Sequence, residues 1–219
     1  MKLGSTTASV IMVAVLFSGI RARAEAPTRV ITTAAEQVRA ILKNKVKKGS
    51  AAERLRKKML KQVVDGFLDY HELARLSLGP HWQERNNKEQ REFTRLLREL
   101  IEASYLSTIS DNINFKLKIE EEEIAEEGDK ASVWAVASAK NSKQRTVSED
   151  LTFHLFLKDK KWFIYDIEFG DVSLVRHYRG EFHRKIKKES YAALLQAMRK
   201  KLAEIRQGKL KVGDNPPPL

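Results

Sequence analysis

Residues 162–182 read WFIYDIEFGDVSLVRHYRGEF, and this stretch decides the fold. Its first half alternates like a strand, with Trp162, Ile164, Asp166 and Glu168 on one face and Phe163, Tyr165, Ile167 and Phe169 on the other. One face is wholly apolar or aromatic and the other is mixed. Gly170 and Asp171 break the alternation, after which Val172, Leu174, Val175, Tyr178 and Phe182 recur at helical spacing. A strand that turns through Gly-Asp straight into an amphipathic helix must pack helix against sheet. The rest of the chain supplies the elements that complete that packing.

Working back from this corner, 147–158 aligns Leu151, Phe153, Leu155 and Leu157 on one face of a strand. Residues 131–139 form another strand, with Ala131, Val133, Ala135, Ala137 and Ala139 on one face and Trp134 and Val136 on the other. Its small side chains leave room for a close helix or for a ligand. Ile113, Phe115, Leu117 and Ile119 alternate with Asn114, Lys116 and Lys118 in a further strand. Short polar connections join these four strands, which predicts an antiparallel meander.

The front half is helical. Ile31, Ala34, Ala35, Val38, Ile41, Leu42 and Val46 form a stripe. Ser50 caps a second helix with Leu55, Met59, Leu60, Val63 and Val64 inside and Arg54, Arg56, Lys57, Lys58 and Lys61 as its wet or docking side. Asp69 and Glu72 open a short helix over 70–78, Gly79 and Pro80 end it, and Trp82 reads as a core plug. Asn87 with Gln90 opens the longest helix, over 88–108, whose apolar face carries Phe93, Leu96, Leu97, Leu100, Ile101, Ser104, Tyr105 and Thr108. After the corner, Tyr191, Leu194, Leu195, Met198, Leu202 and Ile205 mark a last helix. The expected fold is α+β: a four-stranded antiparallel curved sheet packed against a helical layer, one domain over 25–208, with 209–219 as a flexible tail.

The chain has 219 residues and no cysteine, which excludes disulfides, thiol nucleophiles and cysteine-zinc sites. Lys2, the apolar run 10–17 and Ala22-Arg23-Ala24 predict an exported protein with a signal peptide over 1–24, cleaved near Ala24. A retained anchor is the alternative, although the run is too short to span a bilayer. The formal charge is +12; the leader holds Lys2, Arg21 and Arg23 and no acid, so the remainder carries +9. Such a surface suits an anionic membrane or an acidic partner, and export argues against nucleic acid. A solvated surface with no specific partner is the plainer reading.

No catalytic constellation assembles. His71-Glu72 begins like a zinc-protease helix, but Arg75 stands where the second histidine belongs. There is no nucleophile elbow, phosphate loop or dinucleotide fingerprint. His71, His81, His154, His177 and His183 are scattered, so no metal site and no cofactor are expected. Asp166 and Glu168, about 7 Å apart along a strand, are the one pair spaced for acid chemistry. A structural Asp166 buttressing the corner is the competing reading.

YDIEFGDVSLVRHYRGEF, together with the upstream stretches LARLSLGPHW and EQREFTRLLRELIEASY, resembles the MlaC or toluene-tolerance family of periplasmic phospholipid carriers. The motif residues are Asp166, Gly170, Val172, Ser173, Leu174, Val175, Tyr178, Arg179 and Phe182, with Asp171 as an extra residue between Gly and Val. The resemblance implies a carrier and not an enzyme, with a deep apolar cavity between helices and sheet that takes a phospholipid, or a hopanoid or other lipid; a basic exported binding protein with no lipid cavity is the alternative. It implies shuttling between inner and outer membranes to maintain outer-membrane lipid asymmetry. Implied partners are an inner-membrane ABC-type lipid transporter with its substrate-binding subunit and an outer-membrane lipoprotein complex, met by a monomer. Combined with the apolar faces, it makes Leu97, Ile101, Tyr105, Phe153, Leu155, Val172, Val175 and Tyr178 the expected lipid-lining residues. Arg145, Arg176 and Arg179 are the expected headgroup contacts, because a phosphate favours a guanidinium.

Overall fold

The structure is a computed structural model that describes residues 25–47, 49–111, 115–140 and 145–209, with the backbone alone along 105–111. The expected leader and residues 210–219 of the expected tail lie outside the described residues. The elements run α1 (Pro27–Leu42), α2 (Ala51–Phe67), α3 (Tyr70–Leu78), a 3-10 turn (Gly79–Trp82), α4 (Asn87–Asp111), β1 (Lys116–Ile124), β2 (Lys130–Lys140), β3 (Thr146–Lys158), β4 (Lys161–Phe169), β5 (Val172–Ser173), α5 (Leu174–Lys188) and α6 (Tyr191–Arg206). Among the described residues no helix is long and apolar enough to cross a membrane.

Polar side chains set the helix starts by satisfying the first free N–H groups. Ser50 Oγ accepts from Glu53 N at 3.1 Å, Asp69 Oδ1 from Glu72 N at 2.9 Å, and Ser190 Oγ from Ala193 N at 3.1 Å. The longest helix starts one residue earlier than its pattern indicates. Asn86, not Asn87, accepts from Glu89 N at 3.1 Å, while Glu89 accepts from Asn86 N at 2.9 Å. That reciprocal pair is a capping box.

The sheet is antiparallel in the order β1-β2-β3-β4-β5. The fifth strand is an addition to the expected four. Val172 and Ser173 pair with Phe169 and Glu168, so the helix begins at Leu174 and Val172 is not part of it. Two residues are too few for any period to register.

A second departure lies inside the deciding stretch. β4 pairs with β3 through Leu157↔Trp162 and Leu155↔Ile164, then His154↔Asp166 and Phe153↔Ile167, which leaves Tyr165 as an extra residue. Paired residues share a face, so this bulge exchanges the two faces midway along β4. Ile167 joins Leu155, Ile164 and Trp162 on the side packed against the helices. Asp166 and Glu168 move to the face of His154 and Thr152. The uninterrupted alternation expected over 162–169 therefore fails after Ile164.

α1 lies against β1, β2 and β4, where buried Ala131 and Ala135 allow a close approach. α3 and α5 pack on each other and on β4, and α6 packs on α4 and α5. The layers meet in one hydrophobic cluster. At its centre Tyr178 stacks on Phe182, ring centroids 5.3 Å apart, and Phe182 meets Phe93 edge-on at 5.4 Å. α2 departs from its expected rotation. Leu60 is buried as expected, but Arg56 is also buried, while Leu55 and Met59 stand 58% and 42% exposed.

Candidate functional site

The layer between helices and sheet brings together most of the residues expected to line it. Leu97 and Ile101 on α4, Leu155 on β3, and Val175 and Tyr178 on α5 all belong to the buried cluster, and Phe153 packs against it partly buried. In this structure side chains fill that layer. Val172 stands apart on β5, 41% exposed. Tyr105 lies on α4, but its side chain is outside the described residues.

The layer is not chemically uniform. The hydroxyls of Tyr70, Tyr178, Ser77 and Ser104 are buried with no hydrogen-bond partner among the described residues. Burial raises the Tyr178 and Tyr70 hydroxyls above the ordinary tyrosine range, and Glu102 and Asp65 add to the effect at Tyr70. A buried hydroxyl without a partner is costly, so these groups are acceptors or donors in waiting.

Beside Tyr70 the layer reaches the surface at a cleft of about 580 Å³. Asp65, Leu68, Asp69, Tyr70, Arg98 and the β3–β4 turn residues Lys158, Asp159 and Lys161 line it together with Phe163. Leu68 and Tyr70 belong to the buried cluster, so the floor of the cleft is continuous with the interior. Arg98 holds the inner wall: it donates to Glu102 Oε1 at 2.7 Å and Asp65 Oδ2 at 2.5 Å, and its guanidinium lies 5.2 Å from the Tyr70 ring centre. Lys158 reaches Asp69 at 3.5 Å. Desolvation raises the Asp65 carboxyl and outweighs the opposing pull of Arg98.

The three expected headgroup arginines are elsewhere. Arg176 bonds Glu168 at 2.9 Å, Arg179 donates to the Leu76 carbonyl at 2.8 Å, and Arg145 precedes β3. None of them is among the cleft's lining residues, whose cations are Arg98, Lys158 and Lys161. Arg98 left a faint signal in the sequence as an i,i+4 partner of Glu102 beside the apolar stripe. Its meeting with Asp65, thirty-three positions away, left none.

Asp166 and Glu168 are both engaged. Asp166 accepts from Ser173 Oγ at 2.5 Å, Val175 N at 3.0 Å and Ile167 N at 2.9 Å, while Ser173 Oγ accepts from Arg176 N at 3.0 Å. The carboxylate thus clamps the first turn of α5 to the sheet. Glu168 faces Arg176 and lies 3.2 Å from His154 Nε2, whose Nδ1 is 3.1 Å from Ser132 Oγ. His154, Asp166 and Glu168 offer ligand atoms within 4.8 Å of one another. However, donors occupy both Asp166 oxygens and a guanidinium already sits on Glu168, so the set does not suit a cation. Elsewhere the fold joins two histidines that the sequence separates: His81 Nε2 and His183 Nδ1 are 3.1 Å apart.

Burial raises the Asp166 carboxyl above its usual 3.8, against the lowering effect of its hydrogen bonds. A raised acid favours the protonated form in the fold, so its ionisation costs stability as pH climbs from 3.8 through the folded value. The stability difference between the wild type and D166N is therefore expected to be flat near neutrality. It should move in favour of the wild type as pH falls through the folded value toward 3.8. Urea titrations at several pH values check this, and a shift in the opposite sense would mean that the hydrogen bonds dominate.

A curved antiparallel sheet with helices closed over one face, an apolar layer between them and a surface cleft beside Tyr70 make this an α+β domain. The chain belongs to the MlaC family, whose profile matches residues 32–200. A phospholipid-binding protein from Ralstonia solanacearum, solved in complex with a phospholipid, has the same fold, with a TM-score of 0.69 at 18% identity over 83% of this chain and 99% of that one. The intermembrane space region of the chloroplast protein ARC6 is a distant likeness, with a TM-score of 0.32 at 10% identity over 66% of this chain and 97% of that one. No curated protein matches the chain in sequence.

Proposed function

We propose that this protein is a periplasmic phospholipid carrier that holds the acyl chains of its cargo between the helical layer and the sheet. The observation that carries this reading is the cleft beside Tyr70, with an apolar floor running into the buried layer and Arg98, Lys158 and Lys161 at its wall. Membership of the MlaC family and the phospholipid held by the Ralstonia solanacearum protein support it.

The acyl chains enter past Leu68 and Tyr70 and part the helices from the sheet. Leu97, Ile101, Phe153, Leu155, Val175 and Tyr178 then line them, with Tyr105 one turn beyond Ile101 on α4; Val172, at the other end of β4 from the cleft, takes no part. The phosphate stays at the mouth, against Lys158 and Lys161. Two chains of roughly 14 methylenes each carry on the order of 20 kcal/mol gross of burial, at about 0.8 kcal/mol per methylene, which offsets the cost of separating the layers. Binding and release alone move the lipid between the inner and outer membranes, without catalysis. A transporter at the inner membrane and a lipoprotein complex at the outer one are the stations of this monomeric shuttle, and outer-membrane lipid asymmetry is what it maintains.

The test is native purification followed by organic extraction and mass spectrometry, with uptake from labelled phospholipid vesicles as a second readout. About one phospholipid per chain and measurable uptake are expected. Neither lipid nor uptake would leave only a basic binding domain with a filled interior.

A further inference from the structure

Helix α2 packs inward through Leu60, Val64 and Phe67 but leaves two of its apolar side chains outside. Arg56 turns inward and donates to the Asn44 carbonyl at 3.4 Å, while Leu55 and Met59, one turn apart, face solvent. Arg54 and Lys58 form a second exposed row beside them at the same i,i+4 spacing. The Asn44 bond also ties the preceding loop, with exposed Lys43, Lys45 and Lys47, to the first turns of the helix. Glu53 is the acid nearest these rows, and it is occupied by Lys57 at 2.9 Å and Gly49 N at 2.5 Å.

From this we propose that Leu55 and Met59, flanked by Arg54 and Lys58, form a docking surface for an anionic phospholipid bilayer. An apolar row beside a cationic row on one exposed helix is the pattern of a helix lying in a membrane interface. The apolar side chains enter the acyl boundary, and the cations reach back to the phosphates. A stable protein interface buries about 800 Å² on each side around an apolar centre. Here Ala51, Ala52 and Gln62 surround two apolar side chains, which is too little for such a centre but enough to pass the headgroups. α2 ends at the cleft, and Met59 is about 13 Å along the axis from Leu68. The docking surface stands whether or not lipid occupies the interior.

The test is cosedimentation of the full chain with phosphatidylglycerol vesicles and with phosphatidylcholine vesicles. Binding is expected to phosphatidylglycerol, weakening with salt, and to fall about tenfold in the L55S/M59S double variant. Removing two cations in R54Q/K58Q should weaken it about twenty-fivefold, at roughly fivefold for each. Thermal melting controls for folding, and should the serine variant melt early, the glutamine variant carries the test. Binding unchanged in either well-folded variant overturns the proposal, as does equal binding to both lipids. So does loss of an acidic protein's binding, with vesicle binding intact. Copurified lipid, read separately by extraction, should be the same in all variants.

Discussion

Replacing Asp166 with alanine is expected to destabilise the protein by about 3 kcal/mol in urea unfolding, with an unchanged denaturant slope. The carboxylate satisfies the Val175 and Ile167 N–H groups and the Ser173 hydroxyl at a buried corner. Alanine strands the Val175 donor and the hydroxyl there, and each stranded group costs about 1–3 kcal/mol. The damage spreads because α5 carries Tyr178 and Phe182 into the centre of the core. D166N keeps an acceptor for Val175 and should cost about 1 kcal/mol. E168A is the control: it removes a surface pair with the exposed Arg176 and a contact with His154, and about 0.5–1 kcal/mol is expected. Equal losses in D166A and E168A would show that the corner is held by packing and not by the clamp.

The same corner marks how far the sequence was legible. Its strand, its Gly-Asp break and its helix stood in the pattern, because each runs long enough for a period to show. The bulge at Tyr165 did not, because it inserts a residue into the pairing and leaves the written alternation untouched. β5 is shorter than one period. At α2 the stripe was half right: Leu60 and Val64 pack inward, but Arg56 takes the position beside the Asn44 carbonyl and Leu55 and Met59 stand outside. For the site, Leu97, Ile101, Leu155, Val175 and Tyr178 were gathered into one layer as their periods implied. The cleft was not foreseeable, since it depends on Arg98 meeting Asp65 and on the β3–β4 turn lying beside Tyr70. Periodicity reports which side chains point inward, and it is silent on which distant charges then become neighbours.

Removing the bound lipid is expected to lower the melting temperature by about 5–10 °C. A ligand held at a hundred times its dissociation constant adds about 2.7 kcal/mol, and in a chain of this size each kcal/mol moves the midpoint by about 2–4 °C. Tyr178 offers a sharper readout of where the lipid sits. In the empty protein its hydroxyl is buried with no partner among the described residues, so Y178F should relieve that cost and raise the melting temperature of the stripped form by about 2–4 °C. In the loaded form an ester oxygen of the lipid can accept from the hydroxyl, and the same substitution should then gain nothing or lose stability. The sign of the Y178F effect is thus expected to depend on occupancy, which a purely structural tyrosine cannot produce. An equal shift in both forms would remove Tyr178 from the lining, and identical melting before and after stripping would remove the lipid from the interior.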